Sequence, residues 1–205
     1  MKKIVLASKS VDRSELFKRS KVPFEVLVTN IDEEKYKSEI SDPIELIEKL
    51  AELKALNAKE KLANENEDII IIAADTIVEF DGEIIGKAKN EQHAFQILEK
   101  LAGKAHELMT GIAITETSSS KIIIDHDRTT VSFKNLTEDE IRGYIKTGEW
   151  KGRAGAYSIR DKASLFINSI EGSSSNVIGL PMHVVFSILK NHFNINLLQD
   201  NNETI

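Results

Sequence analysis

The sequence predicts an α/β protein built on one long, mixed and twisted sheet. Residues 69–78 (IIIIAADTIV) are a continuous run of mostly β-branched side chains, which is typical of a strand buried on both faces in the middle of a sheet. Helical patterns alternate with β-rich stretches along the rest of the chain, as in α/β folds. An Asp81-Gly82 turn directly after the central run predicts an antiparallel hairpin, so we expect the sheet to be mixed.

The pattern contains no internal repeat and no linker. We therefore expect residues 1–197 to form one domain, with two lobes and a central cleft. Residues 198–205 are mostly polar and are predicted to form a C-terminal tail.

The chain begins with a strand, a short polar turn and a helix. Residues 4–7 predict the strand, Ser8 and Ser10 lie in the turn, and residues 11–20 predict a helix that carries Arg13. This layout is typical of phosphate binding, because the N–H groups of a helix start, hydroxyl donors and an arginine fork all suit phosphate oxygens. The alternative is an ordinary serine N-cap beside a surface arginine.

A second strand and a long helix follow, at residues 24–28 and 42–62. Acidic residues after the strand, Glu33 among them, either reach a metal or lie in a solvated loop. Asp42 is predicted to cap the helix. The predicted apolar stripe of the helix consists of Leu46, Leu50, Leu53 and Leu56. Lys54 lies on a different row, where it either snorkels at the boundary of the core or points into a cleft.

Asp75 is the carboxylate that the central strand carries. Burying it costs several kcal/mol unless a cation, a metal or hydrogen-bond donors compensate. Asp75 is therefore either a structural residue, paired with an arginine or capping a turn, or a metal-binding or water-activating group delivered to a cleft. The hairpin returns through residues 83–85, which predicts that Lys87 comes close to Asp75 and Thr76.

The second half of the chain alternates in the same way. The predicted elements are a helix at 91–101, antiparallel strands at 106–115 and 121–133, a helix at 137–148, a strand at 164–170, a turn at 172–176 and a last helix at 181–189. Between them, residues 152–157 form a small, glycine-rich loop that allows backbone to approach a ligand.

The composition disfavours several classes of protein. A net charge of −6 argues against sequence-independent binding to nucleic acid, and the absence of cysteine excludes disulfides and thiolate chemistry. The five histidines show no ligand spacing. The N-terminal sequence becomes polar too early for a signal peptide, and the run 69–78 is too short to cross a bilayer. We therefore expect a cytoplasmic protein that binds neither nucleic acid nor membrane.

Several short motifs occur together in one order along residues 1–190. They are Ser8-x-Ser10-x-x-Arg13, Glu33, Lys54, Ala74-Asp75-Thr76, Gly86-Lys87, Ala154-Gly155-Ala156-Tyr157, Glu171-Gly172 and Asn176-Val177-x-Gly179-Leu180-Pro181. Each motif alone is common, but together they resemble the Maf nucleotide pyrophosphatases. The resemblance implies a fold similar to that of inosine triphosphate pyrophosphatases. It also implies hydrolysis of a nucleoside triphosphate to the monophosphate and pyrophosphate, a divalent cofactor (Mg²⁺ or Mn²⁺) and a homodimer.

The resemblance assigns two carboxylates and two lysines to the reaction. Asp75 is expected to be the general base and also a metal ligand, and Glu33 is expected to be a second acidic residue serving the metal. Lys54 and Lys87 are expected to stabilise charge on the triphosphate, so the catalytic set is Asp75, Lys54 and Lys87.

Other positions are expected to bind the substrate, and two of them depart from the family's thymidine/uridine type. The expected substrate-binding residues are Ser8, Ser10, Asp12, Arg13, Thr76, Tyr157 and Arg160. Asp12 stands where that type has arginine, and Arg160 where it has glutamine. These two residues either pair with each other or lie in solvent with little effect. The 7-methylguanosine type has a tryptophan before the motif arginine and a different loop, so it does not match either.

Two other functions compete with hydrolysis of dTTP or UTP. One is a non-catalytic, nucleotide-binding regulator of cell division, and the other is a pyrophosphatase for modified nucleotides such as 7-methyl-GTP. The presence together of Asp75, Lys54, Lys87 and Arg13 favours an enzyme. Residues 155–159 resemble the thymidine/uridine type and favour dTTP or UTP as the substrate.

Overall fold

The structure, a computed structural model, describes residues 2–199. Its strands are β1 (Lys3–Ala7), β2 (Glu25–Val26), β3 (Ile69–Phe80), β4 (Glu83–Ile85), β5 (Ala105–Glu116), β6 (Ile122–Phe133) and β7 (Ile167–Glu171). Its α-helices are α1 (Val11–Lys18), α2 (Glu33–Glu39), α3 (Pro43–Lys61), α4 (Glu91–Leu101), α5 (Glu138–Ile145), α6 (Ser174–Ile178) and α7 (Met182–Phe193). The predicted tail lies outside the described residues from position 200 onward.

The strands form a seven-stranded sheet in the order β2-β1-β3-β5-β6-β7, with β4 paired to β3. β1 runs parallel to β2 and to β3, whereas β4 is antiparallel to β3 and β7 is antiparallel to β6. The predicted α/β class, the mixed sheet and the inner position of the isoleucine-rich strand are therefore confirmed. The hairpin between β3 and β4 is confirmed too, and both turn residues, Asp81 and Gly82, have positive φ.

The described chain divides into two compact units. Unit 1 comprises residues 2–75, 110–127 and 179–199, and unit 2 comprises residues 76–109 and 128–178. In unit 1, alanines of α3 pack against the isoleucines of β3. The core of unit 2 is rich in aromatic side chains, which pack with α4 and α5. The cleft and the single domain over 1–197 stay predictions.

Four predicted elements differ from the structure. The acidic segment after β2 is the helix α2, which Asp32 caps by accepting a hydrogen bond from Lys35 N at 3.2 Å. The predicted strand at 24–28 is reduced to two exposed residues. The predicted strand at 164–170 begins as a 3-10 helix, Lys162–Leu165, and the predicted turn at 172–176 becomes the short helix α6.

The buried face of α3 also differs from the predicted leucine stripe. Leu46 and Leu50 are buried as expected, but Leu56 is 42% exposed. The remaining buried positions are Ile47, Ala51, Lys54, Ala55 and Ala58. Small alanines let α3 lie close to its neighbours, so the row that includes Lys54 faces the interior. An added Cβ on Gly111 would lie 2.5 Å from the backbone of Ile47, which shows how tight this packing is.

Candidate functional site

Asp75 lies within β3 and is 7% exposed. β3 continues beyond the predicted run 69–78 to Phe80, because the hairpin with β4 extends it. Apolar side chains fill most of the strand around it, so its charge requires a partner.

Lys54 provides that partner. Its ammonium group, on the buried face of α3, donates a short hydrogen bond to Asp75 Oδ1 and lies 2.9 Å from Glu33 Oε1. Lys54 is 8% exposed, so it is not the boundary residue that snorkels to solvent. Lys54 points inward and forms one cluster with Asp75 and Glu33 in unit 1, while the cleft stays a prediction.

Glu33, which joins this cluster, is the first residue of α2. Its second oxygen, Oε2, lies 3.8 Å from Lys37 Nζ, one helical turn further along α2. Negative partners, with Glu34 first among them, raise the pKa of Lys37 above its ordinary value despite partial burial. Lys37 was not predicted from the sequence, because the i,i+4 spacing from Glu33 has meaning only once the segment is known to be helical.

The turn between β1 and α1 holds the serines and the arginine predicted to bind phosphate. Ser10 caps α1 by accepting from Arg13 N at 3.3 Å, and Ser8 Oγ accepts from Ser10 N at 3.1 Å. The Arg13 guanidinium donates to Ser8 Oγ at 3.3 Å and to the carbonyl of Gly179 at 2.6 Å. The serine N-cap is therefore present, but Arg13 is not a surface arginine, because its side chain is half-buried and fixed by hydrogen bonds.

Arg13 is also coupled by charge to the lysine–carboxylate cluster. Burial lowers the pKa of Arg13 below its ordinary value, while the negative charges of Asp75, Glu33 and Asp12 act in the opposite direction. Arginine is not deprotonated in proteins, so the guanidinium stays charged near neutral pH. In unit 1 the carboxylates of Asp75 and Glu33 thus lie among three cations, Lys54, Arg13 and Lys37. Gly179, which the sequence gave no chemical role, contributes the carbonyl that holds Arg13 in place.

The other predicted site residues belong to unit 2. Lys87 is exposed and lies two residues beyond β4, where its backbone forms an antiparallel bridge with Ala154. Thr76 is half-buried, and Arg160 is exposed after the glycine-rich loop. Tyr157 is buried at 4% exposure. The approach of Lys87 to Asp75 and the pairing of Asp12 with Arg160 stay predictions.

A divalent metal would need oxygen ligands from this chain. Among residues 2–199, no group of three or more histidines or carboxylates is placed to hold a metal ion. Asp75 and Glu33 both reach the same lysine, and two carboxylates are a sufficient protein contribution when substrate phosphates and water complete a Mg²⁺ site. The donor set therefore fits Mg²⁺ or Mn²⁺ that binds together with a phosphate-bearing substrate.

The fold and this cluster define an α/β protein with a charged site suited to an anionic ligand. The chain belongs to the Maf family, since the family described as Maf-like protein matches residues 3–192. A protein from Alkaliphilus oremlandii named dTTP/UTP pyrophosphatase is 46% identical over 198 residues, covering 97% of this chain and 100% of that protein. A protein of the same name from Alkaliphilus metalliredigens is 44% identical over the same shares.

Two further comparisons concern a relative and a solved structure. The dTTP/UTP pyrophosphatase of Dictyoglomus thermophilum is 41% identical over 92% of this chain and 95% of its own length. The solved Staphylococcus aureus Ham1 protein overlaps 64% of this chain and 72% of its own, with 18% identity and a TM-score of 0.37. Within the part of the chain that the structure describes, no helix is long and apolar enough to cross a membrane.

Proposed function

We propose that this protein hydrolyses dTTP and UTP to the nucleoside monophosphate and pyrophosphate. The observation that carries the proposal is the buried pair of Lys54 and Asp75, which the half-buried Glu33 joins and which is coupled by charge to Arg13. Buried charges on this scale cost stability unless they are paired, and a charged catalytic site is a physical reason to retain them. The three relatives named dTTP/UTP pyrophosphatase, at 41–46% identity, support the choice of substrate.

In this proposal the residues of unit 1 have different roles in one hydrolytic step. Asp75 accepts the proton of the attacking water, whose oxygen forms a bond to phosphorus as the bond between the α- and β-phosphates breaks. Pyrophosphate leaves with the bridging oxygen. Ser8, Ser10 and Arg13 bind phosphate oxygens, and Lys54 neutralises charge beside Asp75.

Two residues of unit 2 are proposed to bind the triphosphate as well. Lys87 adds a second lysine charge for the triphosphate, and Thr76 follows Asp75 directly on β3. Arg160 and Asp12 are the proposed base-reading positions. A homodimer and a cytoplasmic location belong to the same proposal, as does the absence of nucleic-acid and membrane partners.

The first experiment measures release of pyrophosphate from dTTP, UTP, CTP, GTP, ATP and 7-methyl-GTP. The proposal predicts turnover with dTTP and UTP above the others. Tight nucleotide binding without release of pyrophosphate would instead support the non-catalytic regulator of cell division. Preference for 7-methyl-GTP would support the pyrophosphatase for modified nucleotides.

We also expect activity to require a divalent cation. Asp75 and Glu33 would hold it, and the cation would supply charge neutralisation at the phosphates. Exhaustive chelation should abolish pyrophosphate release, and Mg²⁺ or Mn²⁺ should restore it. Full activity in the chelated protein would contradict this expectation.

Base selectivity provides another prediction, at Asp12 and Arg160. A glutamine amide offers a donor and an acceptor to a base edge, whereas arginine offers only donors, so Arg160 cannot accept from the imide N–H of uracil or thymine. The combined change Asp12→Arg and Arg160→Gln should shift kcat/KM toward UTP and dTTP relative to CTP, GTP, ATP and 7-methyl-GTP. An unchanged ratio across these nucleotides would mean that the two positions do not read the base.

A further inference from the structure

Tyr157, the last residue of the Ala154-Gly155-Ala156-Tyr157 motif, points into the core of unit 2 rather than outward. Its hydroxyl group lies 2.9 Å from Nε2 of His106, on β5. His106 is 3% exposed and Tyr157 is 4% exposed, so the hydrogen bond between them is closed to solvent. A side chain buried to this degree supports the loop that carries it.

The two residues share an aromatic cluster with Phe133. The ring centroids of Phe133 and Tyr157 are 4.8 Å apart, those of His106 and Phe133 are 4.8 Å apart, and all three pairs are close to edge-on. Burial lowers the pKa of His106 to about 4, so the imidazole is neutral at physiological pH. Its other nitrogen, Nδ1, is buried without a hydrogen-bond partner among the described atoms, so the bond to Tyr157 is the polar contact of this ring.

The loop before Tyr157 needs such an anchor because its backbone is strained. Ala156 has φ 59°, a left-handed conformation that is unfavourable for a residue with a Cβ. Strain of this kind persists only where the surroundings over-determine it. Gly155 N donates to the carbonyl of Gly86 at 3.2 Å on one side, and Ser158 N donates to the Tyr144 hydroxyl at 3.3 Å on the other.

We propose that His106 is a positioning residue that, through Tyr157, fixes the loop 154–160 and thereby sets how tightly and how selectively the base is bound. This inference rests on the proposed function, and it assigns Tyr157 to the support of the loop instead of to direct contact with substrate. His106 lies 48 residues before the motif and carries no ligand spacing, so the sequence analysis gave it no role.

The test is a set of four variants assayed with UTP and CTP. Tyr157→Phe keeps the ring and removes the hydroxyl, and His106→Leu removes the imidazole. Each should raise KM for UTP about tenfold, lower the preference for UTP over CTP and leave kcat within about twofold, because the Asp75 cluster is untouched. The double variant should be no worse than the poorer single variant, since both changes remove one contact. His106→Gln retains a hydrogen-bonding group, so its KM for UTP should be much closer to the wild-type value than that of His106→Leu.

Asn90→Ala is the matched control for stability. Asn90 caps α4 in the same unit by accepting from His93 N at 2.8 Å, so the variant loses a helix cap without touching the loop. Its KM and base preference should equal those of the wild type. The proposal is overturned if Tyr157→Phe and His106→Leu fold and keep the wild-type KM and preference, or if their effects multiply in the double variant.

Amide hydrogen exchange separates this inference from the proposed function. If the hydrogen bond between His106 and Tyr157 anchors the loop, amide exchange across residues 154–160 should be faster in Tyr157→Phe and in His106→Leu. It should not change there in Asn90→Ala. A wild-type protein that releases no pyrophosphate from any nucleotide would overturn the proposed function and the effect on KM. Unchanged exchange in Tyr157→Phe would overturn the anchor itself.

Discussion

Replacing Asp75 by asparagine is expected to lower the turnover of UTP by ~10²–10⁴-fold while the protein stays folded. Asparagine has the same shape as aspartate, so the packing inside β3 survives, and Lys54 keeps Glu33 as a partner at 2.9 Å. What is lost is the group that accepts the proton from water and one of the two carboxylates that fit a metal. The measurement is kcat for pyrophosphate release, with circular dichroism to confirm folding.

Asp68→Asn is the matched control for this variant. Asp68 lies directly before β3 in the same unit, and hydrogen bonds from Lys2 and Ser118 lower its pKa to about 2, so it too is a charged carboxylate with partners. Its replacement makes the same chemical change outside the cluster and should leave kcat unchanged. Near-normal turnover in folded Asp75→Asn would remove Asp75 from the mechanism.

Replacing Lys54 by methionine is expected to cost about 3–5 kcal/mol in the free energy of unfolding. Methionine fills a similar volume, but the carboxylates of Asp75 and Glu33 then lose the ammonium group between them. Breaking a buried ion pair from one side leaves an uncompensated charge, which costs more than the pair contributes. Urea unfolding at pH 7 measures the change.

The double variant Lys54→Met with Asp75→Asn shows whether that charge is the cause. It should recover a large part of the lost stability, because the aspartate that lost its partner is then neutral. Lys49→Met is the control on the same helix. Lys49 forms a surface pair with Glu52 at 2.7 Å and is 42% exposed, so its loss should cost about 0–1 kcal/mol. A Lys54→Met protein with the wild-type stability would contradict the account.

The strongest local patterns predicted the fold well. The isoleucine run, the Asp-Gly hairpin and the Asp42 cap of α3 all occur in the structure. Each is dictated by local chemistry: β-branched side chains, a turn that requires positive φ, or a side chain that caps N–H groups. Signals of this kind can be recognised in the sequence without knowledge of the tertiary contacts.

The elements that were predicted incorrectly lack such local signals. The helix α2 has no buried residue, so its sequence carries no apolar period, and only Asp32 and the acidic first turn indicate it. On α3, the leucine stripe was a plausible core face, but alanines proved to be the closer-packing row. Residues 162–165 form a 3-10 turn in which Leu165 is 75% exposed, against the expectation that apolar residues mark a strand.

The residues of the site were likewise predicted only in part. The sequence identified Asp75 as a residue that needs a partner, but not that Lys54 is this partner, because a separation of 21 positions along the chain carries no register. Lys37 could be linked to Glu33 only once α2 was known to be a helix. The Gly179 carbonyl could be linked to Arg13 only from the tertiary structure. Backbone groups and long-range pairs leave no mark on composition or spacing.

The products formed from UTP test the central claim most directly. Wild-type protein with Mg²⁺ should convert UTP to UMP and pyrophosphate in a 1:1 ratio, because the proposed cleavage falls between the α- and β-phosphates. Ion-exchange chromatography of the nucleotides, together with a phosphate assay run with and without an added inorganic pyrophosphatase, measures both products. Formation of UDP and inorganic phosphate, or no turnover of UTP or dTTP at all, would contradict the account.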